Sequence, residues 1–282
     1  MINRTYIDIL QVNIQQKLRF KLFWHNRSID QRKTIEGLLL AYENLNKEDF
    51  HVNIFSNESV ISHMTVQGKN MTTSKNMNLG IIGAGYVGLP LAASFAKHVS
   101  VKVYDINTER ITRLKNDISN IDELAMYSLE GLNPIIFTSK ISDLCDCNVF
   151  IIAVPTPVDK AKNPDLSALK SATRLVAGVM KEKDIIIFES TVYPGCTEEI
   201  CIPILEEVSE MKVNVDFFCG FSPERINPGD RNRALSDIVK VVSGSNAVAL
   251  NKIDGIYKMV VKAGTHRAPN IKVAEASKII EN

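Results

Sequence analysis

No apolar run in these 282 residues extends beyond a few positions, far short of the roughly 20 residues that span a bilayer. The opening "MINRTYIDIL" has no apolar stretch behind Arg4, so no secretory signal is indicated. An excess of one charge sign is missing as well. The net charge is +1, with Lys and Arg scattered, which offers no field to nucleic acid or to a membrane surface. Cysteine is sparse: Cys145, Cys147, Cys196, Cys201 and Cys219 are odd in number and match no zinc spacing. They read as free thiols in a reducing compartment, so no metal site is expected and the cytoplasm is the expected location.

A further absence divides the chain. Residues 1–76 contain no proline and two of the fourteen glycines, so all ten prolines and twelve glycines come later. Ten Lys/Arg against seven Asp/Glu give the first part net +3, and 23 against 25 give the remainder net −2. Residues 1–76 are therefore expected to be an extension of unknown role with a linker, joined to a different piece that begins at residue 77. In the extension, "TYIDILQVNI" alternates like a strand, and "IDQRKTIEGLLLAYENL" has helical spacing with Asp30 as a possible N-cap. The polar "VQGKNMTTSKNMN" reads as linker, and Met71 or Met77 could equally begin the enzyme proper. His25, His51 and His63 share no ligand spacing and read as surface or partly packed, and Trp24 reads as core.

From residue 78 the rhythm becomes strand, helix, strand, helix. "NLGIIGAG", "VSVKVYDI", "CNVFIIAVPTP" and "DIIIFEST" read as strands; "LPLAASFAKH", "TERITRLKN" and "DLSALKSATRLVAGVMK" read as helices. The order predicts an α/β fold of the Rossmann type, a doubly wound parallel sheet. In "GIIGAGYVGLPLA", Gly83, Gly85 and Gly88 form G-x-G-x-x-G between a strand and a helix, with Tyr86 and Val87 inside the turn. The first glycine permits the turn, the second lets backbone approach a pyrophosphate, and the third lets helix and strand pack closely. Asp105 follows Gly83 by 22 residues at the end of the next strand. There a carboxylate accepts from an adenosine ribose and repels a 2′-phosphate, which predicts NAD as the cofactor. Arg110 either lies over the adenine or is a solvated helix-start residue. Thr156, between Pro155 and Pro157, sits at a strand end where such sheets bind ligands, or in a loop that only ends the strand.

"ESTVYPGCTEEI" raises the chemical question, since Cys196 stands close behind the hydroxyls of Ser190 and Thr191. Read alone, Thr191 can be a turn hydroxyl, Glu224 after Pro223 a solvated carboxylate, and Lys278 with Asn282 an exposed i, i+4 pair. Together "GAGYVGLPLA", "AVPTPV", "ESTVYPGCTEE", "GFSPERINPGD" and "VAEASKIIEN" resemble the UDP-glucose/GDP-mannose dehydrogenase family over residues 77–282. The likeness is strongest to the members that oxidise UDP-N-acetylglucosamine or UDP-N-acetylgalactosamine in capsule and O-antigen synthesis.

The resemblance implies NAD, a UDP-sugar substrate, a homodimer, and a two-fold oxidation in which a cysteine captures the aldehyde as a thiohemiacetal and water later cleaves a thioester. It also implies that Thr191 holds the catalytic water beside the nicotinamide and that Glu224 is the acid/base. Arg225 and Ile226 line the sugar-nucleotide site, and Lys278 and Asn282 bind the substrate oxygen. The family's nucleophilic cysteine lies in a glycine-rich turn beyond the "AEASK" helix, which Cys196 does not match; Cys196 is expected to be a buried or capping thiol. The resemblance implies an NAD-binding domain over 77–265 and the start of the family's central helical region over 266–282. The sequence stops at Asn282 inside that helix, so this chain is expected to lack the nucleophile and the nucleotide-sugar domain, the alternative being a catalytically inactive NAD-binding module. Pro228 stands where more distant relatives place a second glutamate.

Overall fold

The proline-free and the glycine-punctuated parts of the chain belong to two different units, Met1–Thr72 and Thr73–Asn282. The computed structural model describes residues 77–118, 121–125, 127, 129–158, 163–225 and 235–281, together with the backbone of four strands in the first unit. There β1 (Asp8–Ile14) pairs antiparallel with β2 (Lys17–Phe23), and β3 (Phe50–Ser56) with β4 (Ser62–Gly68). The expected strand in "TYIDILQVNI" is β1. The expected helix over residues 29–45 lies outside the described residues. The stretch read as linker begins as the end of β4, and its residues 69–76 are not described.

In the second unit the strands are short and apolar: β5 (Leu79–Ile82), β6 (Val101–Tyr104), β7 (Ile135–Thr138), β8 (Val149–Ile152), β9 (Ile185–Phe188) and β10 (Phe218–Phe221). They form one sheet in the order β10-β9-β8-β5-β6-β7, and every pairing is parallel. Parallel strands need crossovers, and crossovers place cover on both faces, so the inner strands are apolar at successive positions rather than at alternate ones. The pleat then divides each run. Ile81, Val103, Ile151 and Ile187 enter one core, and Ile82, Phe150, Ile152, Ile186 and Phe188 enter the other.

The first core is covered by α1 (Gly88–Phe95), α2 (Thr108–Asn116) and α5 (Ala247–Lys258), through Leu89, Leu91, Phe95, Ile111, Leu114, Ile253 and Tyr257. The second is covered by α3 (Ser167–Ala177), α4 (Ile202–Ser209) and α6 (Ile271–Glu281), through Leu169, Val176, Leu205, Ile271 and Ala274. The strand order reverses between β5 and β8, which opens a crevice at the carboxyl ends of the strands. A parallel pair of β11 (Lys240–Val242) and β12 (Thr265–Arg267) follows β10.

Glu275 on α6 has 0% exposure, and its carboxylate accepts the backbone N–H of Gly195 at 2.5 Å and of Thr197 at 2.8 Å. Those groups open the π-helical turn Thr197–Cys201 that leads into α4. Glu275 thus ties the helix bearing Lys278 to the turn that follows Thr191. Burial pushes its carboxyl above the ordinary value, against the hydrogen bonds from Thr197 and Gly195 that favour the anion. Removing an acceptor of two buried donors costs ~2–4 kcal/mol. Glu275→Ala is expected to lower unfolding free energy in urea by that amount, and Glu275→Gln, which keeps one acceptor, by less.

Candidate functional site

Gly83 has φ +109°, and a Cβ on it would lie 2.5 Å from the carbonyl oxygen of Ala153. A Cβ on Gly88 would lie 1.9 Å from the carbonyl oxygen of Gly83. Both positions therefore exclude any side chain, the first for the turn and the second for the contact of α1 with β5. Gly85 differs, since a Cβ there meets nothing within 4 Å. Its open side faces a cleft of about 440 Å³ lined by Gly83, Gly85, Tyr86, Val87, Asp105 and Arg110 on one side of the strand-order reversal. On the other side the lining includes Thr156, Glu189, Ser190, Thr191 and Glu224.

No side chain caps α1 at Val87, so the helix presents its amino end to this cleft with its dipole unopposed. Asp105, at the end of β6, closes the turn from beside it. Its carboxylate accepts the N–H of Ala84 at 2.8 Å and of Asn107 at 2.9 Å. Arg110 holds the same turn from below: its Nε donates to the Ala84 carbonyl, and Nη2 reaches Glu123 Oε1 at 2.6 Å. The guanidinium lines the cleft while doing structural work, a role that neither sequence alternative contained. A dinucleotide fits these features, with its pyrophosphate on the open backbone and its adenosine ribose at Asp105.

Across the reversal, the loops after β8 and β9 are stitched together. Thr156 Oγ1 donates to the Thr191 carbonyl at 2.6 Å, and Ser190 Oγ to the Val154 carbonyl at 2.6 Å. Thr191 itself is exposed and Thr156 half-buried. Glu224 is buried, and one of its carboxylate oxygens accepts the N–H of Arg225 at 2.7 Å.

Behind them lies a network that the sequence reading missed. Glu189, 1% exposed, takes Lys240 Nζ at 2.6 Å on one oxygen and the Tyr257 hydroxyl on the other. Lys240, also 1% exposed, donates to the Pro223 carbonyl at 2.8 Å and stands 3.7 Å from Glu224 Oε2. Burial raises Glu189 to about 7, opposed by the Lys240 charge, and it raises Tyr257 well above the phenol value. A signal was present, because Glu189 heads "ESTVYPG" directly after a purely apolar strand. A carboxylate there needs a buried cation, which lies 51 residues away in sequence.

The structure thus gathers Gly83, Gly85, Tyr86, Val87, Asp105, Arg110, Thr156, Thr191 and Glu224 around one cleft. Gly88 lies beneath it, and Arg225 follows Glu224 without lining it. Lys278 is half-buried on α6 and does not line the cleft either; Ile226 and Asn282 lie outside the described residues. Four cysteines are buried and Cys145 is exposed, and none lines the cleft. A hydrogen bond from Cys201 draws the Cys196 thiol below its ordinary value while burial opposes it, but the sulfur has no access to the cleft. Among the described residues, no cluster of His, Cys, Asp or Glu could hold a metal, and no helix is long and apolar enough to cross a membrane.

Residues 77–261 match the sequence pattern described as the UDP-glucose/GDP-mannose dehydrogenase family, NAD binding domain. The chain is 48% identical over 208 residues to UDP-N-acetyl-D-glucosamine 6-dehydrogenase of Pseudomonas aeruginosa, covering 74% of this chain and 49% of that protein. Protein CapL of Staphylococcus aureus is 47% identical over 207 residues, covering 73% of this chain and 49% of that protein. The solved UDP-D-ManNAc dehydrogenase of Pyrococcus horikoshii superposes with a TM-score of 0.65 at 32% identity, over 73% of this chain and 50% of that one. The chain spans about half the length of the curated relatives it matches.

Proposed function

The chain belongs to the UDP-glucose/GDP-mannose dehydrogenase family and carries its NAD-binding domain, and we propose that it is the cofactor half of a UDP-N-acetylhexosamine 6-dehydrogenase serving surface polysaccharide synthesis. In this role it would hold the NAD that oxidises the sugar C6 alcohol to the aldehyde stage and then, in a second round with water supplying the added oxygen, to the uronic acid. The observation that carries the reading is the joining of the two loops. Thr156 and Thr191, at the ends of the adjacent strands β8 and β9, are hydrogen-bonded on the far side of the strand-order reversal, beside Glu224, in the same cleft as the glycine turn and Asp105.

Each group has work suited to its position. Asp105 and the glycine turn bind the adenosine end, Thr156 and Thr191 set the floor at the far end, and Glu224 holds or moves a proton at its carboxylate. Lys278 and Asn282, four positions apart in the sequence, stabilise charge on the substrate oxygen, and Arg225 with Ile226 borders the sugar nucleotide. Bound NAD supplies the hydride acceptor. The Pseudomonas and Salmonella relatives, each 48% identical to this chain, favour a UDP-N-acetylglucosamine-type substrate, since that is what both are named for. The domain limits 1–76, 77–265 and 266–282 belong to the same proposal, as do a homodimer and a cytoplasmic location.

The experiment is a turnover assay. The polypeptide of 282 residues, given NAD with UDP-N-acetylglucosamine or UDP-N-acetylgalactosamine, is expected to bind NAD and to make no uronic acid. A thioester step needs a thiol beside the aldehyde carbon, a displacement of ~1 Å costs ~100-fold in rate, and no cysteine lines this cleft. Joined to the remaining half of a relative, it is expected to release two NADH per sugar, and Lys278→Ala to abolish them. Two-NADH turnover by the 282-residue polypeptide itself would refute this reading.

A further inference from the structure

The redox state of a nicotinamide ring differs by one unit of charge, because the oxidised ring is cationic and the reduced ring neutral. A dinucleotide whose pyrophosphate rests on the turn after β5 and whose adenosine ribose meets Asp105 after β6 must carry its second base over the ends of β8 and β9. The wall there contains Thr156, Thr191, Glu189 and Glu224. We propose that Glu189 determines the preference of this cleft for the oxidised over the reduced cofactor, its carboxylate favouring the cationic ring and its protonation weakening that choice.

The argument is one of placement. Glu189 ends β9 and lines the cleft with 1% exposure, so its charge is poorly screened by solvent. It is faced by Lys240 from β11, by Tyr257 from α5 and by Glu224 from the segment after β10. Lys240 and Tyr257 stabilise the anion, while burial and Glu224 oppose it. These opposing influences bring the carboxyl to about 7, inside the range where a binding titration can follow it. Whatever charge the neighbours carry, uptake of one proton by Glu189 makes this wall one unit more positive. The oxidised ring feels that change and the reduced ring does not. The adenosine and pyrophosphate are common to both ligands, so the ratio of their dissociation constants cancels every titration at that end.

The proposal rests on NAD lying across the strand-order reversal, and the test separates the two. NAD+ and NADH are titrated separately against the full chain by calorimetry, from about pH 6 to about pH 8.5, a range that brackets the raised carboxyl. The ratio Kd(NADH)/Kd(NAD+) is expected to rise about tenfold with pH, centred near the Glu189 titration. Tyr257→Phe removes a donor to the anion and should move that midpoint to higher pH, a shift that a purely structural role of the hydroxyl would not produce. Glu189→Gln should flatten the ratio; if that variant does not fold, the unmodified chain and Tyr257→Phe decide. A ratio independent of pH in the unmodified chain, or a midpoint unmoved in Tyr257→Phe, overturns the proposal alone. Failure to bind either ligand at any pH overturns the placement of the cofactor as well.

Discussion

Lys240→Met is expected to destabilise the second unit by about 3–5 kcal/mol, with a loss that grows as pH rises. The ammonium is 1% exposed and has three acceptors around it: Glu189 at 2.6 Å, the Pro223 carbonyl at 2.8 Å and Glu224 at 3.7 Å. Methionine fills similar volume, so the cost comes from an uncompensated buried carboxylate rather than from a cavity. The pH dependence follows from linkage. Glu189 titrates at about 7 when folded against an ordinary 4.5, so between those values the folded state holds more protons than the unfolded state. Stability there falls as pH rises. Lys240 lowers the folded value, so its removal pushes the carboxyl higher and extends the falling limb beyond pH 7. Urea denaturation at about pH 5.5 and about pH 8.5 should show a small difference from the unmodified protein at the first and a large one at the second. A loss equal at both would mean that Glu189 is not the group left stranded.

That network also shows where sequence reading stops. The glycine turn, Asp105 and the first helices were legible because each rests on local spacing: three glycines at fixed offsets, and a carboxylate at the end of the next apolar run. Strands β5, β6, β8 and β9 were legible as apolar runs bounded by turns. Strands β7 and β10 were not, since four residues such as "IIFT" or "FCGF" between irregular segments carry neither length nor alternation. The partnership of Lys240 with Glu189 could not be read at all. It joins β11, which belongs to a separate strand pair, to the end of β9 through side chains alone, and nothing near Lys240 marks it as buried rather than solvated. Arg110 shows another limit: the sequence offered adenine or solvent, and the structure adds the carbonyl of Ala84 at the edge of the cleft, a partner that exists only once the turn has formed. Thr191 and Glu224 were placed by resemblance, and their arrival at one cleft is a consequence of parallel strands delivering their carboxyl ends to the same edge.

Asp105→Ala is expected to reduce the preference for NAD over NADP from about a hundredfold to about tenfold or less, without inverting it. In the folded chain the carboxylate is fixed by the N–H groups of Ala84 and Asn107, so it cannot swing away from a ligand that brings a 2′-phosphate. A carboxylate and a phosphate at contact distance repel by ~2–3 kcal/mol in a partly solvated site, which sets the hundredfold figure. Alanine removes that repulsion, and it also removes the acceptor that serves the ribose hydroxyls, so NAD affinity should fall while NADP affinity rises. Inversion would require a cation to replace the carboxylate. Arg110 is the nearby candidate, but its Nε serves the Ala84 carbonyl and its Nη2 is paired with Glu123 at 2.6 Å, so little of its charge is available to a phosphate. Adding Glu123→Gln should release it, and the double variant should bind NADP more tightly than Asp105→Ala alone. Calorimetric titration of both cofactors against the three proteins checks this. Equal binding of NAD and NADP by the unmodified chain would remove Asp105 as the discriminating group, and an unchanged ratio in Asp105→Ala would do the same.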